Sequence, residues 1–438
     1  MRRQRRRTSG LSLGTVVALT LTGLVLAGCV LLLPRLFGNI ELRVDSAQVG
    51  VAIQSVLREA VVRPADRTAE APNATPATAP PIGTATVSPT PTQAPVRTLT
   101  LTAAGSIQVD TQIQKSATGA EGYAFGPVFA YLLEGFQSQI NLVTLENLTV
   151  VNEKLTDVNM PSDALSAIRQ CGVDVVCMGF YGALNNGVEG LSATLDAIRG
   201  YGMTPYGVYP TAQSRNHVTT LQTPDLTVAF LSFQSELSAA GNKKTTREEQ
   251  AFVIAPLTLP SIAQQITAAR AAGAQVVVVS LCWGKTGASS PTGTQKELAQ
   301  GIADAGADII LGTHSGVLQP IEVLSGHRAD GTLHQTLCAY SLGNLLESDR
   351  DDRDAISGAL LHVRMSYDIA ADQLAFDAIT YTPTYVWRGK IDGKTSYRVL
   401  RSNVEAPDFV DEDQRKVMER CLKLVRDALA DSPVSEAQ

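Results

Sequence analysis

The hydrophobic pattern divides the chain from Leu99 to Asn344 into short apolar strands and amphipathic helices. Apolar stretches of about four to eight residues between glycine or polar residues predict strands, and they lie at 99–105, 140–145, 172–178, 226–233, 275–281 and 308–311. Apolar residues at helical spacing lie between them, at 161–171, 191–199, 261–272 and 298–305. Strands and helices that alternate along a chain are typical of an α/β layered sheet, which is the predicted fold class.

The pattern changes after residue 349. Segments 358–366 and 374–382 predict two antiparallel strands, and 412–429 has the spacing of an amphipathic helix. We therefore expect residues 98–348 to form the main α/β domain and residues 349–438 to complete it with strands and a helix.

The N-terminal segment has the pattern of a membrane anchor. Residues 1–10 carry five arginines and no acidic residue, and residues 11–33 contain no charged residue. An apolar run of this length can cross a bilayer as a helix, and basic residues before such a span favour the cytoplasmic side. The sequence predicts a basic cytoplasmic tail at 1–10, a transmembrane anchor at 11–33 and an extracytoplasmic remainder.

Two alternatives to the uncut anchor stay open. A cleaved signal peptide would have a shorter apolar core. Leu26-Ala-Gly-Cys29 is similar to a bacterial lipobox, which predicts a lipoprotein attached at Cys29. The apolar run continues beyond Cys29 to Leu33, and this favours the uncut span. In the anchor and lipoprotein interpretations the protein is tethered to the membrane and faces outward.

Two segments connect the anchor to the domain. Residues 34–62 have weak helical periodicity and predict a juxtamembrane segment. Residues 63–97 are rich in Pro, Thr and Ala, and such a composition cannot bury enough apolar surface to fold. We expect this segment to form a disordered stalk.

The charge balance excludes one class of partner. Six of the 36 Lys and Arg residues lie within residues 1–35, where there is no Asp or Glu, so 30 basic and 42 acidic residues remain. A domain of net charge −12 does not have the basic face that binds nucleic acid. The six cysteines have no paired spacing, and we expect buried free thiols.

One segment has the features of a binding site. Leu298, Ile302 and Ala305 have helical spacing, and Gly306 can end this helix in the left-handed conformation. A short apolar strand then leads to Gly312-Thr-His314 at its carboxyl end. Ligands and catalytic groups gather at that edge of open α/β sheets. We expect a pocket at His314, although a hydrogen-bonded structural histidine remains an alternative. The other four histidines are expected on the surface or in loops, and Asp308 in a turn or cap.

This segment and Tyr340-Ser-Leu-Gly-Asn344 resemble the closing motifs of the CapA, or poly-γ-glutamate capsule synthesis, family. The resemblance extends from about Leu99 to Asn344. The positions that fit are Gln295, Asp304 to Asp308, Gly312, His314, Gln319, Glu322 and Tyr340 to Asn344. The resemblance implies the layered sandwich of the calcineurin-like metallophosphoesterases.

In that superfamily, two metal ions activate a water molecule, and the resemblance implies that the ligands are Asp, Asn and His at strand ends. The chain departs from this pattern: Ser106 replaces the Asp of a Gly-Asp motif, and Thr144 precedes Glu146 in place of an Asn. Tyr181 and Gly182 replace an Asn-His pair. Cys282 replaces the His of His-Trp-Gly, and Gly316 replaces the second His of His-Pro-His. The degenerate site positions are Ser106, Glu146, Tyr181, Gly182, Asn185, Cys282, Trp283, His314 and Gly316.

So few ligands predict that no metal cofactor is bound and that the protein is not an enzyme. If it is active, the resemblance implies a divalent metal (Mn, Fe or Zn) and hydrolysis of phosphoester or γ-glutamyl bonds with His314, Glu146 and Cys282, and Cys282 could ligate zinc. Glu146, His314, Gln319 and Asn344 are candidate ligand-binding residues. For Trp283, packing is the alternative; for Gln319 and Asn344, it is hydrogen bonding to loop backbone.

The expected function follows from the resemblance and the anchor. It is a membrane-anchored extracytoplasmic protein associated with the synthesis of a capsule or cell-envelope polymer. The expected partners are the membrane and either an anionic envelope polymer or capsule-synthesis membrane proteins. A third interpretation is a scaffold for the membrane-bound synthesis machinery.

Overall fold

The computed structural model describes residues 96–149, 155–328, 331–350 and 354–437. The predicted tail, anchor and juxtamembrane segment, and the stalk as far as residue 95, lie outside these residues. Within the described part of the chain, no helix has both the length and the apolar character that crossing a membrane requires.

The strands pair into two large sheets and two short ladders. In chain order they are β1 Val96–Ile107, β2 Thr118–Gly119, β3 Gly122–Tyr123, β4 Ile140–Leu145, β5 Leu148–Thr149, β6 Asn159–Met160, β7 Val175–Cys177, β8 Thr204–Tyr206, β9 Thr219–Gln222, β10 Thr227–Gln234, β11 Val276–Cys282, β12 Ile309–Thr313, β13 Ile321–His327, β14 Leu333–Ala339, β15 Asn344–Leu346, β16 Ser357–Asp368, β17 Gln373–Ile391, β18 Lys394–Arg401 and β19 Ser435–Glu436.

Helices cover the outer faces of the sheets. They are α1 Thr111–Ser116, α2 Gly126–Phe129, α3 Asp163–Gln170, α4 Gly187–Gly200, α5 Ala239–Lys244, α6 Arg247–Val253, α7 Leu259–Ala271, α8 Gly293–Asp304 and α9 Glu412–Ala428, with 3₁₀ turns at Ala130–Leu132, Ser214–Asn216 and Asp354–Ile356.

Both sheets contain a parallel centre with antiparallel strands at an edge. The first sheet has the order β18-β17-β16-β1-β4-β7-β8, with β15 beside β1 and β19 beside β17. The second has the order β13-β14-β12-β11-β10-β9. Strands β1, β4, β7 and β8 run parallel in the first sheet, and β10, β11, β12 and β14 in the second. Their carboxyl ends define the edges where a site is expected.

The sheets pack face to face, because alternate residues of each strand point to opposite sides. In β1, Leu99 and Leu101 belong to the core between the sheets, as do Val276 and Val278 of β11. The intervening residues of β11, such as Val277, pack outward against α7 and α8. The outer face of the first sheet packs against α3, α4 and α9. The result is a mixed α/β sandwich with two central sheets and helices outside.

Two sequence-based boundaries at the start of the domain differ from the structure. The stalk was expected to reach residue 97, but β1 begins at Val96, because Val96 and Arg97 pair with Asp368 and Tyr367 of β16. The strand was expected to end at Gly105, yet it continues to Ile107. Both differences come from pairing partners far away in the sequence, which local patterns do not reveal.

The expected surface position is wrong for two histidines. His334 is buried, with its Nε2 2.7 Å from the Ala307 carbonyl oxygen. His362 is largely buried between the Thr102 and Thr382 hydroxyl groups. Asp308 lies in the bend between α8 and β12, and its fully buried carboxylate accepts hydrogen bonds from Arg270 at 2.7 Å and from the Val277 amide at 2.6 Å.

The cysteine prediction is confirmed for the described residues. Five cysteines lie there as buried free thiols: Cys171, Cys177, Cys282, Cys338 and Cys421. Cys29 lies outside the described residues, so the uncut anchor and its alternative, lipidation at Cys29, stay predictions.

Candidate functional site

The predicted site residues lie where strand ends of the two sheets approach each other. Ser106 is next to last in β1, and Glu146 follows β4 directly. Cys282 ends β11, and His314 follows β12 directly. The charge of Glu146 acts on both the Cys282 thiol and the His314 ring. The structure therefore brings together four side chains that are separated by up to 208 positions in the sequence.

Ser106 and Glu146 form the most direct contact of the site. The buried Ser106 hydroxyl group donates a hydrogen bond of 2.6 Å to Glu146 Oε1. Burial raises the pKa of the Glu146 carboxyl group, and the Ser106 hydrogen bond and the His314 charge oppose this effect. The backbone keeps the pair in register, because Ser106 is paired with Thr144 of β4 on one side and with Asn344 of β15 on the other.

Cys282 has the environment of a protonated thiol. Its side chain is buried. Burial raises the pKa of this thiol, and the negative charge of Glu146 raises it further, while a hydrogen bond with the Tyr181 backbone lowers it. Because the thiolate is the form that attacks substrates and binds metals, Cys282 is in an unreactive state at neutral pH.

His314 has an unusual backbone conformation. Its φ is +86°, in the left-handed region that residues other than glycine rarely adopt. Such strained residues concentrate at functional sites. The ring is partly exposed, and it lies 6.1 Å from the ring of Tyr181, which is 42% exposed. Tyr181 and His314 therefore form the solvent-facing side of the site.

Three other predicted positions supply little to a ligand. Gly316 has a φ of +70°, and a Cβ atom there would lie 3.5 Å from Asn344 Nδ2. A Cβ atom at Gly182 would approach the Phe180 ring to 2.8 Å. Asn185 is engaged elsewhere, because its side-chain oxygen accepts a hydrogen bond from the Ser238 hydroxyl group.

The remaining predicted residues have structural contacts. Trp283 is buried, stacks on Tyr340 with ring centroids 5.8 Å apart, and donates from Nε1 to the Tyr340 carbonyl at 3.0 Å. Gln319 is fully buried and donates to the Ala288 carbonyl oxygen at 2.7 Å. Asn344 donates to the Ala355 carbonyl oxygen at 3.1 Å. These contacts agree with packing for Trp283 and with backbone hydrogen bonding for the two amides.

Sequence reasoning did not find the acidic residues beside the site. Burial raises the pKa of Glu347 to about 7, and the charges of Asp110 and Glu146 add to this effect, whereas hydrogen bonds from the Asp349 and Ser348 backbone amides oppose it. Asp110 caps α1 and accepts a further hydrogen bond from the Ser348 amide. Glu347 lies three residues after the Tyr340–Asn344 motif. This position beside the motif is the feature of the sequence that could have indicated Glu347 as a site residue.

The chain matches a known family over most of this region. Residues 100–349 match the sequence profile of the family described as bacterial capsule synthesis protein PGA_cap. The chain belongs to this family. The matched region contains every position of the candidate site.

Two curated relatives come from bacilli. The chain is 29% identical over 226 residues to the PGA biosynthesis protein CapA of Bacillus subtilis (strain 168), covering 50% of this chain and 54% of that protein. It is 24% identical over 255 residues to the capsule biosynthesis protein CapA of Bacillus anthracis, covering 57% and 59%. The chain thus spans little more than half the length of these relatives.

Solved structures show only a distant likeness. A candidate 5'-nucleotidase from Staphylococcus aureus, determined in complex with alpha-ketoglutarate, has a TM-score of 0.40 at 13% identity, over 75% of this chain and 58% of that chain. A phosphatase from Mycoplasma pneumoniae has a TM-score of 0.38 at 9% identity, over 66% of this chain and 94% of that chain.

The donor set does not fit the two metal ions that the resemblance implies. Ser106 has no carboxylate, and its hydroxyl group is occupied by Glu146. Gly182 and Gly316 have no side chain, and the Cys282 side chain is buried. In the described part of the chain, no three His, Cys, Asp or Glu side chains are grouped so that they could hold a metal ion. Too few ligands remain to offset the desolvation of a cation.

The arrangement retains some acid-base capacity. Burial raises the pKa of the Glu146 carboxyl group, and a carboxyl group beside a histidine can accept or donate a proton. The Ser106 hydroxyl group is polarised by the Glu146 carboxylate at 2.6 Å. The geometry therefore supports hydrogen bonding to a polar ligand at His314 and Glu146 better than it supports metal-assisted hydrolysis.

Proposed function

We propose that this protein is a membrane-anchored, extracytoplasmic and non-catalytic member of its family that takes part in the synthesis of a capsule or cell-envelope polymer. Family membership supports the link to capsule synthesis. The uncharged segment 11–33 behind a cluster of arginines supports the anchor and its orientation. The names of the Bacillus relatives support an anionic polymer of the poly-γ-glutamate type.

One observation carries the non-catalytic part of the proposal. Ser106 occupies the position where the family resemblance expects the first metal-binding aspartate, and it donates a hydrogen bond of 2.6 Å to Glu146. A carboxyl group at position 106 would lie against another carboxyl group, so the pair would require either a shared proton or a cation. The serine removes this requirement and leaves the pair stable without a metal.

Metal analysis of the full chain tests this part. After incubation with Mn, Fe or Zn and dialysis, we expect no stoichiometric metal and no hydrolysis of p-nitrophenyl phosphate or γ-glutamyl peptides. Two equivalents of metal, or turnover that is lost in His314→Ala and Glu146→Gln, would instead establish the divergent hydrolase. Loss of partner recruitment after replacement of residues 11–62, with polymer binding retained, would favour the scaffold interpretation.

A restored variant makes the result more informative. The variant carries Ser106→Asp, Gly182→His, Cys282→His and Gly316→His. We expect it to bind metal and to melt at a higher temperature with metal than without, because a ligand that binds only the folded state stabilises it. The matched control contains Ser106→Asn in place of Ser106→Asp. Asparagine has the same shape as aspartate without the charge, so we expect the control to bind metal more weakly than the restored variant.

The anchor has its own test. If residues 11–33 form an uncut span, the mature protein retains Met1, and Cys29→Ala stays in the membrane fraction. N-terminal mass spectrometry of the membrane-associated protein measures the first point. Lipid mass on Cys29, or release of the Cys29→Ala variant into the medium, would establish the lipoprotein instead.

A further inference from the structure

A second concave surface lies apart from the candidate site, between α1 and the hairpin of β17 and β18. It encloses a cavity of about 650 Å³. Its lining is polar and carries no acidic side chain: Thr111, Gln112, Lys115, Ser116, Thr118, Arg388, Lys394, Thr395 and Tyr397. We call this surface the basic cleft.

The cations of the basic cleft have no counterion in the described part of the chain. Lys115, Arg388 and Lys394 take part in none of the ion pairs found there, unlike ten other Lys and Arg residues. A fourth cation is close, because Lys390 is the cross-strand partner of Thr395 and such partners lie on the same face of a sheet. The cleft therefore combines several unpaired positive charges.

A further positive charge lies beneath the floor of the cleft. Tyr397 is fully buried, and its hydroxyl group lies 3.4 Å from Gln112 Oε1. Beneath its ring lies Arg350, whose guanidinium carbon is 5.7 Å from the ring centroid. Among the described residues, the buried Nε and Nη2 of Arg350 have no hydrogen-bond partner. Arg388 and Arg350 are close enough for their charges to repel.

Two acidic residues beside α1, Asp110 and Asp157, form no ion pair with these cations in the described part of the chain, and neither does Asp392 in the turn between β17 and β18. Asp110 is committed to the backbone amides of Gln112, Ile113 and Ser348. Asp157 accepts hydrogen bonds from the backbone amide and hydroxyl group of Thr111 at the rim. In a chain that carries 42 acidic against 36 basic residues, the cleft is a local concentration of positive charge. The cleft is therefore suited to an anion.

The exposure of the cations favours a chain over a single small anion. Lys115, Arg388 and Lys394 are all exposed, and an exposed ion pair contributes only about 0 to 1 kcal/mol. One carboxylate or phosphate group would thus bind weakly. A polymer with regularly spaced charges engages several cations at once, and each further contact becomes intramolecular.

We propose that the basic cleft formed by Lys115, Arg388, Lys394 and Thr395 binds a stretch of a carboxylate-bearing polymer chain. The choice of carboxylate rests on the proposed function, whereas the preference for a polyanion rests on the cleft itself. The hydroxyl groups of Thr111, Ser116 and Thr118 donate to acceptors within the protein, so their oxygens can accept hydrogen bonds from the backbone amides of such a chain. This surface is separate from Ser106, Glu146 and His314.

The test compares two triple charge reversals in the full chain. The cleft variant carries Lys115→Glu, Arg388→Glu and Lys394→Glu. The matched control carries Lys243→Glu, Lys244→Glu and Arg247→Glu, which are exposed on α5 and α6, have no ion pair in the described residues, and change the net charge equally. Fluorescence anisotropy measures the binding of labelled poly-γ-glutamate, with polyphosphate and free glutamate as competitors. Circular dichroism checks that both variants fold.

We expect the cleft variant to bind poly-γ-glutamate at least about tenfold more weakly than the wild type, a loss of about 1.4 kcal/mol, and the control to change little. Binding should weaken with salt, and free glutamate should compete poorly. Equal binding by the cleft variant and the wild type would overturn the inference and leave the proposed function standing. A wild type that binds no polyanion would contradict both. If the wild type binds polyphosphate but does not bind poly-γ-glutamate, the assignment to a carboxylate polymer is overturned.

Discussion

Replacing Glu347 with glutamine should stabilise the protein at neutral and alkaline pH and change little at acidic pH. Burial, with the nearby charges of Asp110 and Glu146, raises the pKa of Glu347 from the ordinary value of 4.5 to about 7. Between these two values the folded state binds more protons than the unfolded state. The free energy of unfolding therefore falls as the pH rises from 4.5 to 7.

The magnitude follows from the width of this pH window. One pH unit is worth about 1.4 kcal/mol, so deprotonation of Glu347 costs the folded state about 3 kcal/mol by pH 8. Glutamine has no charge, and its side-chain oxygen can still accept the hydrogen bonds that Glu347 Oε1 receives from the Ser348 and Asp349 amides. The difference between variant and wild type should be small at pH 4.5 and should reach about 3 kcal/mol at pH 8.

Urea unfolding of both proteins at several pH values between 4.5 and 8.5 measures this difference. The matched control is Glu419→Gln, an exposed position on α9 without an ion pair in the described residues. Its effect on the free energy of unfolding should be within about 0.5 kcal/mol at every pH. The reasoning about Glu347 is refuted if the Glu347→Gln difference does not depend on pH, or if the variant is less stable than the wild type at pH 8.

His362→Gln should show the opposite pH dependence, because burial lowers the pKa of His362 from 6.5 to about 4. Wild-type stability should be lost as the pH falls from 6.5 to 4, by about 3 kcal/mol relative to the variant, whereas exposed His327→Gln should show no such trend in the same urea series. Gly105→Ala should destabilise by about 3 kcal/mol or more, since its Cβ atom would lie 2.0 Å from the Gly343 carbonyl oxygen. Gly200→Ala, which meets no atom within 4 Å, is the control; similar melting temperatures for the two alanine variants would contradict the packing argument.

The local elements of the parallel core could be predicted from the sequence. The strand predicted at 275–281 lies at Val276–Cys282, and the helix predicted at 261–272 lies at Leu259–Ala271. These segments have strong apolar patterns, because the strands are buried on both faces. Gly306 follows α8 in the left-handed conformation with a φ of +90°, as its position suggested.

The antiparallel edges could not be predicted in the same way. Strands β13 and β14 form a hairpin with a mixed burial pattern, and β14 continues the parallel order beside β12. The hairpin of β17 and β18 extends to Arg401, far beyond the predicted end at 382. Half-exposed strands contain polar residues on one face, so their apolar pattern is weak. The basic cleft lies on this hairpin, and for that reason sequence patterns did not reveal it.

The candidate site was partly predictable for a different reason. The strand-end rule indicated His314, and the family resemblance indicated Ser106, Glu146 and Cys282. Glu347 also follows a parallel strand directly, because β15 runs parallel to β1, but a strand of three residues gives no clear sequence pattern. Its altered pKa depends on burial and on charges from distant segments, which a sequence does not display.

The site is held together by backbone contacts that do not require a metal ion. Ser106 donates from its backbone amide to the Gly343 carbonyl oxygen at 3.2 Å, and Gly105 allows this close approach because it has no side chain. On the second sheet, Gly312 allows the same approach to Tyr340, whose carbonyl oxygen also accepts the Trp283 hydrogen bond. Gly105, Gly312 and Trp283 therefore have a structural role that is separate from metal binding. A chain can lose ligands at positions 106, 182, 282 and 316 and keep these glycines, because the fold depends on the glycines and not on the ligands.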